Sequence, residues 1–191
     1  MRNKLTGTLI RALRYFWDRD EQGRAIIALL CAFARDPVLR ISSPLILSLN
    51  EGEMITREKL EEYLEEKQPG RFSKATLKST ANNINSTWTQ SGHLEGRKKK
   101  YRSKAKASPG AVAYALLLAY FNGFRGILLF ENDYTKILDC SKERAIELAE
   151  HASLKGWMVF KRIEDVIEVA FPKLVNQIEM ERTLEQDNKT Y

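Results

Sequence analysis

Two cysteines, Cys31 and Cys140, and two histidines, His93 and His151, are all that 191 residues offer of the side chains most used in disulfides, metal sites and histidine catalysis. Both cysteines fall within apolar helical patterns, so buried thiols in a reducing compartment are expected rather than a disulfide or metal site. Neither histidine has a Cys, Ser or carboxylate neighbour at triad spacing, and both are expected as polar surface or interface residues. The glycines of Gly123-Phe124-Arg125-Gly126 fit neither GxxxxGK[ST] nor GxGxxG, which removes a nucleotide-phosphate loop. The longest apolar run, Ala111 to Phe121, is eleven residues and too short to cross a bilayer. The N-terminal MRNKLTGTLIRALRYFWDRD is basic but has no uninterrupted apolar core and no small-residue cleavage site, so no signal peptide is expected. These shortages point to a cytoplasmic protein that is not an enzyme, carries no cofactor or metal, and does not associate with membranes.

Acidic residues are nearly missing from one stretch. Between Arg71 and Lys106, ten Lys and Arg residues face a single acid, Glu95. That is +9 in 36 residues, against +6 for the whole chain, so the remaining 155 residues sum to −3. Basicity this local predicts a polyanion-binding surface rather than a solubility device.

Within this stretch Ser73 is a good N-cap, and Leu77, Ala81, Ile84 and Trp88 follow at i, i+4, i+7 and i+11, one apolar stripe on an α-helix. The opposite side carries Ala75, Ser79, Asn82, Asn83, Ser86 and Gln90, with Thr76 and Lys78 on its flanks. No carboxylate lies there. Such residues are mediocre helix formers, and a small, amide-bearing face between cations suits a DNA major groove, where Asn pairs bidentately with adenine. Gly92 ends the helix. His93-Leu94-Glu95 and Lys99–Tyr101 then read as two short strands around a Gly96-Arg97-Lys98 turn. Helix followed by basic hairpin is the winged helix-turn-helix order. A disordered basic linker is the competing reading of KKKYRSK.

The rest of the chain supplies a frame. Residues 4–18 and 22–35 have helical patterns, the second stopping near Asp36-Pro37, and a third short helix opened by Pro44 is expected within Ser43 to Asn50. Gly52 to Ile55 is extended. Thr56 caps a helix through Lys67 with Leu60, Tyr63 and Leu64 inward and a row of glutamates outward. After the hairpin, Ser108 and Pro109 open a helix to Phe121 that is apolar nearly all round, followed by a tight connection at 123–129. A short helix over 132–138 and a Ser141-capped helix through Lys155 lead into two alternating strands around Ile163-Glu164. This is again helix, helix, hairpin, but with an acidic long helix, which favours a structural or protein-binding role. Pro172 is expected to end the fold, with a polar tail after it.

The expected fold is mainly α with small β-hairpin wings: a helical platform (1–40), a winged-helix DNA-binding unit (41–107), a second winged-helix-like unit (108–172) and a tail (173–191). Phosphate contacts are expected from Lys74, Lys78, Arg97, Lys98, Lys99, Lys100, Arg102 and Lys104, and base contacts from Thr76, Ser79, Asn82, Asn83 and Ser86. Two rivals remain. One is a protein–protein adaptor that docks an acidic partner through the basic tract. The other is an RNA-binding protein, disfavoured because no solvent-facing aromatic pair offers base stacking.

One set of segments also resembles a known family. SKATLKSTANNINSTWTQSGHLEG, then KKKYRS, SPGAVAYALLLAYFNGFRGILLF, ELAEHASLKGW and DVIEVAFP are similar to the BrxA-type small proteins of bacterial BREX phage-defence islands. The pattern covers residues 37–172 and consists of packing and turn signatures. The resemblance implies a non-enzymatic protein that binds double-stranded DNA and works with other phage-defence proteins.

Overall fold

The computed structural model describes residues 2–164 and 166–174. They are mainly helical, with two small antiparallel sheets. Helices α1 (Arg2–Trp17) and α2 (Arg24–Arg35) pack on each other and on the later α6 (Pro109–Phe121). Asp20 fixes this corner: its buried carboxylate accepts the backbone N–H of Gly110, in the first turn of α6, at 2.6 Å and that of Gly23 at 3.1 Å. The helix α6 is buried from Gly110 to Ala119, as its all-round apolar sequence requires.

The third helix corrects the expectation of a short helix opened by Pro44. It is α3 (Pro37–Ser48), with Pro44 inside it. Asp36 accepts from the backbone N–H groups of Val38 and Leu39, and Pro37 occupies the first turn, where its missing N–H costs nothing. Pro44 leaves the Arg40 carbonyl without its usual helical donor, and the Ser43 hydroxyl supplies a replacement at 2.8 Å.

Strand β1 (Met54–Ile55) leads to α4 (Arg57–Lys67), capped by Thr56. Then come α5 (Lys74–Gln90), capped by Ser73, and strands β2 (Leu94–Glu95) and β3 (Lys100–Arg102). The sheet order is β1-β3-β2, antiparallel throughout, with Met54 opposite Tyr101 and Glu95 opposite Tyr101 on the other side. Ala81, Ile84 and Trp88 are buried, and the Trp88 indole N–H donates to the Ser42 hydroxyl at 3.0 Å, which ties α5 to α3.

The second half runs from α6 through a 3₁₀ turn at Gly126–Phe130, where a plain connection was expected, to α7 (Asp133–Lys136) and α8 (Lys142–Leu154). The hairpin of β4 (Val159–Ile163) and β5 (Val166–Ala170) follows. Cys140 lies in the α7–α8 connection rather than in a helix and is half-buried; Cys31, on α2, is buried. Pro172 was expected to end the fold, but 172–174 are helical; the expected tail beyond lies outside the described residues. The buried side chains form one cluster from Leu9 to Leu174.

Candidate nucleic-acid interface

Helix α5 presents Lys74, Ala75, Thr76, Lys78, Ser79, Asn82, Asn83, Ser86 and Gln90 to solvent. All five expected base-facing residues are therefore exposed on one helix. Its N-terminus is fastened by the Ser73 hydroxyl, which accepts from the Thr76 N–H, and its C-terminus by Gly92 in the left-handed region at φ +84°.

The hairpin turn stands beside this helix. Gly96 takes φ +93°, and a Cβ there would sit 2.2 Å from the Lys99 carbonyl oxygen, so the chain reverses here only with glycine. The turn projects Arg97, Lys98 and Lys99 into solvent, while the half-buried Lys100 donates its ammonium to the Gly96 carbonyl at 2.7 Å and holds the turn closed. Between helix and turn lies a cleft of about 360 Å³ lined by Asn82, Asn85, Ser86, Thr89 and Gln90 of α5, by Arg97, Lys98 and Lys100, and by Ile55 and Arg57. The structure thus brings two expected base-facing residues and three expected phosphate-facing cations to one concavity. Lys74, Thr76, Lys78 and Ser79 lie toward the other end of α5, and Lys104 is exposed beyond β3.

Arg102 is a correction. The sequence places it among the phosphate-binding cations, yet it is 7% exposed and its guanidinium points into the protein. It forms a bidentate pair with Asp139, at 2.6 and 2.9 Å, and also donates to the carbonyls of His93 and Ser103. Asp139 adopts φ +55° and accepts a further bond from the Ala105 N–H at 2.8 Å. A guanidinium engaged in this way does not reach a phosphate.

His93 is a second correction. Expected at a surface, it is 0% exposed: its Nε2–H donates to the Ile137 carbonyl at 2.9 Å, and Nδ1 lies 2.9 Å from the Ser91 hydroxyl. Burial, with the Arg102 charge adding to it, pushes its pKa down to about 4 against the opposing pull of Asp139 and the Ile137 carbonyl. His151 is exposed on α8.

Asn85 escaped the sequence reading. Only 6% exposed, it lies on the cleft, and neither end of its carboxamide has a hydrogen-bond partner among the described residues. A signal was present: at 100° per residue, Asn85 falls about 40° from Ala81, on the border of the apolar stripe rather than opposite it.

Elsewhere among the described residues, no group of three or more His, Cys, Asp or Glu is placed to hold a metal ion, and no helix is long and apolar enough to cross a membrane. Five large apolar residues of the second half, Ile127, Leu128, Leu154, Ile163 and Val166, are exposed. No protein-family model, curated protein or solved structure matches the chain.

Proposed function

We propose that the segment from α3 to β3 is a winged helix-turn-helix unit, and that the chain uses it to bind double-stranded DNA, without enzymatic chemistry, as a component or regulator of a bacterial phage-defence system. The element order helix, strand, helix, helix, strand, strand and the sheet order β1-β3-β2 support the winged reading. One observation carries the DNA reading. Asn82, Arg97 and Lys98 line a single cleft between helix and turn, and none of them is engaged in a hydrogen bond or ion pair with a described residue. Cations that neutralise nothing within the fold are available to phosphates, and an unengaged amide face beside them is available to base edges. The acidic face of α4 adjoins the N-terminal end of α5, where Glu58, Glu61, Glu62, Glu65 and Glu66 share a groove with Lys74 and Lys78, so the reading rests on the cations of the turn rather than on these two lysines. The defence assignment leans on the resemblance of residues 37–172 to the BrxA-type proteins.

The test is anisotropy of a labelled mixed-sequence duplex across a salt series. Wild type is expected to show a log–log slope on the order of −4 to −6, and the triple variant Arg97→Ala, Lys98→Ala, Lys99→Ala to lose about three units of it. Absence of duplex binding at low salt sinks the DNA reading. A slope that ignores the three alanines removes the turn from the interface.

A second reading belongs to the second half. One of its exposed apolar residues, Ile127, lines a groove of about 470 Å³ together with Ile146, Ile167, Glu143, Glu147 and Glu150. A groove walled by glutamates and isoleucines favours protein docking over a second DNA surface. Neutral loss of duplex affinity when Ile163 and Val166 become Ser would agree with docking; a steep loss would count against it.

A further inference from the structure

We propose that Asn85 reads an adenine: the cleft between α5 and the hairpin turn admits a base edge, and the Asn85 carboxamide is the group that recognises it. This rests on the DNA-binding reading above and adds to it a base-specific residue and a base.

Folding does not explain an asparagine at this position. It lies on the packed side of α5 next to Ala81 and Trp88, where leucine would complete the stripe, and asparagine is a poor helix former. Buried side-chain amides are ordinarily hydrogen-bonded, yet the Asn85 Oδ1 is sealed from solvent and accepts nothing. The hydroxyl of Thr89, its neighbour one turn on, donates instead to the Asn85 backbone carbonyl at 2.7 Å, and the Gln90 amide donates to Ser86 at 3.1 Å. Both nearby donors are therefore committed elsewhere. Arg57, also on the cleft, is ion-paired with Glu58 and Glu61, and its buried Nε–H makes no hydrogen bond to Asn85 or to any other described residue.

The atom lacking a partner selects the ligand. An amide oxygen requires a donor, and neither phosphate oxygens at neutral pH nor deoxyribose within a strand supplies one. In the major groove only adenine, through its 6-amino group, and cytosine, through its 4-amino group, donate. Adenine also offers N7 as an acceptor beside its amine, which matches the carboxamide's donor and acceptor together. Recognition requires a rotation about the soft terminal torsion of Asn85 that brings its oxygen, sealed in this structure, to face the cleft. Arg97 and Lys98, on the opposite wall, then take phosphates of the same duplex.

The experiment selects bound sequences from a randomised duplex pool with wild type and with Asn85→Leu. The selected duplex is then remade with purine deoxyriboside, which lacks the 6-amino group, in place of each enriched adenine. Wild type is expected to enrich at least one adenine position that becomes indifferent in Asn85→Leu, with binding roughly 10- to 100-fold weaker when that amine is removed. Asn85→Leu should also melt at a higher temperature, the reverse of what loss of a structural residue would do. The inference is overturned if every enriched position survives Asn85→Leu, or if no 6-amino removal weakens wild type. The second arm uses wild type only and decides the matter even where Asn85→Leu folds poorly. Enrichment of no duplex at all by wild type overturns the DNA-binding reading itself, and this inference with it.

Discussion

His93 sits where the first hairpin meets the second half of the chain, and its burial has a consequence that solution measurements can read. In the unfolded chain its pKa is near 6.5, and in the fold it is pushed down to about 4. Between these values the unfolded chain binds a proton that the folded one refuses, so stability is full above about pH 6.5 and declines as pH falls toward 4. A shift of this size corresponds to about 3 kcal/mol once the fall is complete. Carboxylates titrate in the same window, so the measurement is comparative: urea unfolding of wild type and His93→Gln at pH 7 and pH 4.5. Glutamine keeps an N–H for the Ile137 carbonyl but does not titrate, so the variant should lose clearly less stability than wild type on acidification. Equal losses would mean that His93 is not the responsible group.

At the scale of elements, the hairpin turn depends on one backbone position. Gly96→Ala brings a Cβ against the Lys99 carbonyl and strains a left-handed residue, so the turn must reorganise and carry Arg97 to Lys99 with it. The expected result is a several-fold loss of duplex affinity with a nearly unchanged helical circular dichroism spectrum. Gly70→Ala is the control, since Gly70 is also left-handed but a Cβ there meets open space. Equal effects of the two would sever the link between turn geometry and binding. Local elements such as these were legible beforehand: Ser73, Thr56, Ser108 and Ser141 cap the helices they were expected to cap, and the Leu77 to Trp88 stripe faces inward, because caps and periodicity act within a few residues. Arg102 was not legible. In the run KKKYRSK nothing separates it from its neighbours, and its partner, Asp139, is 37 residues away on another element. His93 was hidden for the same reason, since the carbonyl it meets belongs to Ile137, 44 residues on. Asn85 lies on the border of the stripe, where the helical angle alone does not separate a buried amide from an exposed one.

Across the whole molecule, the Arg102–Asp139 pair is a charged joint between the two halves, alongside the His93–Ile137 and Gly110–Asp20 hydrogen bonds. The core is one cluster, so packing alone would hold the halves together; the ion pair adds orientation, because its two parallel bonds fix how β3 meets the α7–α8 connection. Its energetics are asymmetric. Removing Asp139 leaves a buried guanidinium uncompensated, which costs about 3 to 5 kcal/mol, whereas replacing both partners by apolar side chains of similar volume can approach neutrality. The double variant Arg102→Met, Asp139→Leu removes the unpaired charge but still strains a left-handed residue and leaves the Ala105 N–H without its acceptor. The expected order of stability in urea is therefore wild type, then the double variant, with Asp139→Ala lowest. The double variant has a second expected property. The pair lies away from the cleft that holds Arg97 and Lys98, and Arg102 contributes no phosphate contact, so the salt slope of duplex binding should stay at its wild-type value. A drop of about one unit in that slope would return Arg102 to the phosphate-binding set. An unchanged slope together with stability above that of Asp139→Ala would assign the most buried cation of the basic stretch to joining the halves, and leave binding to the exposed ones.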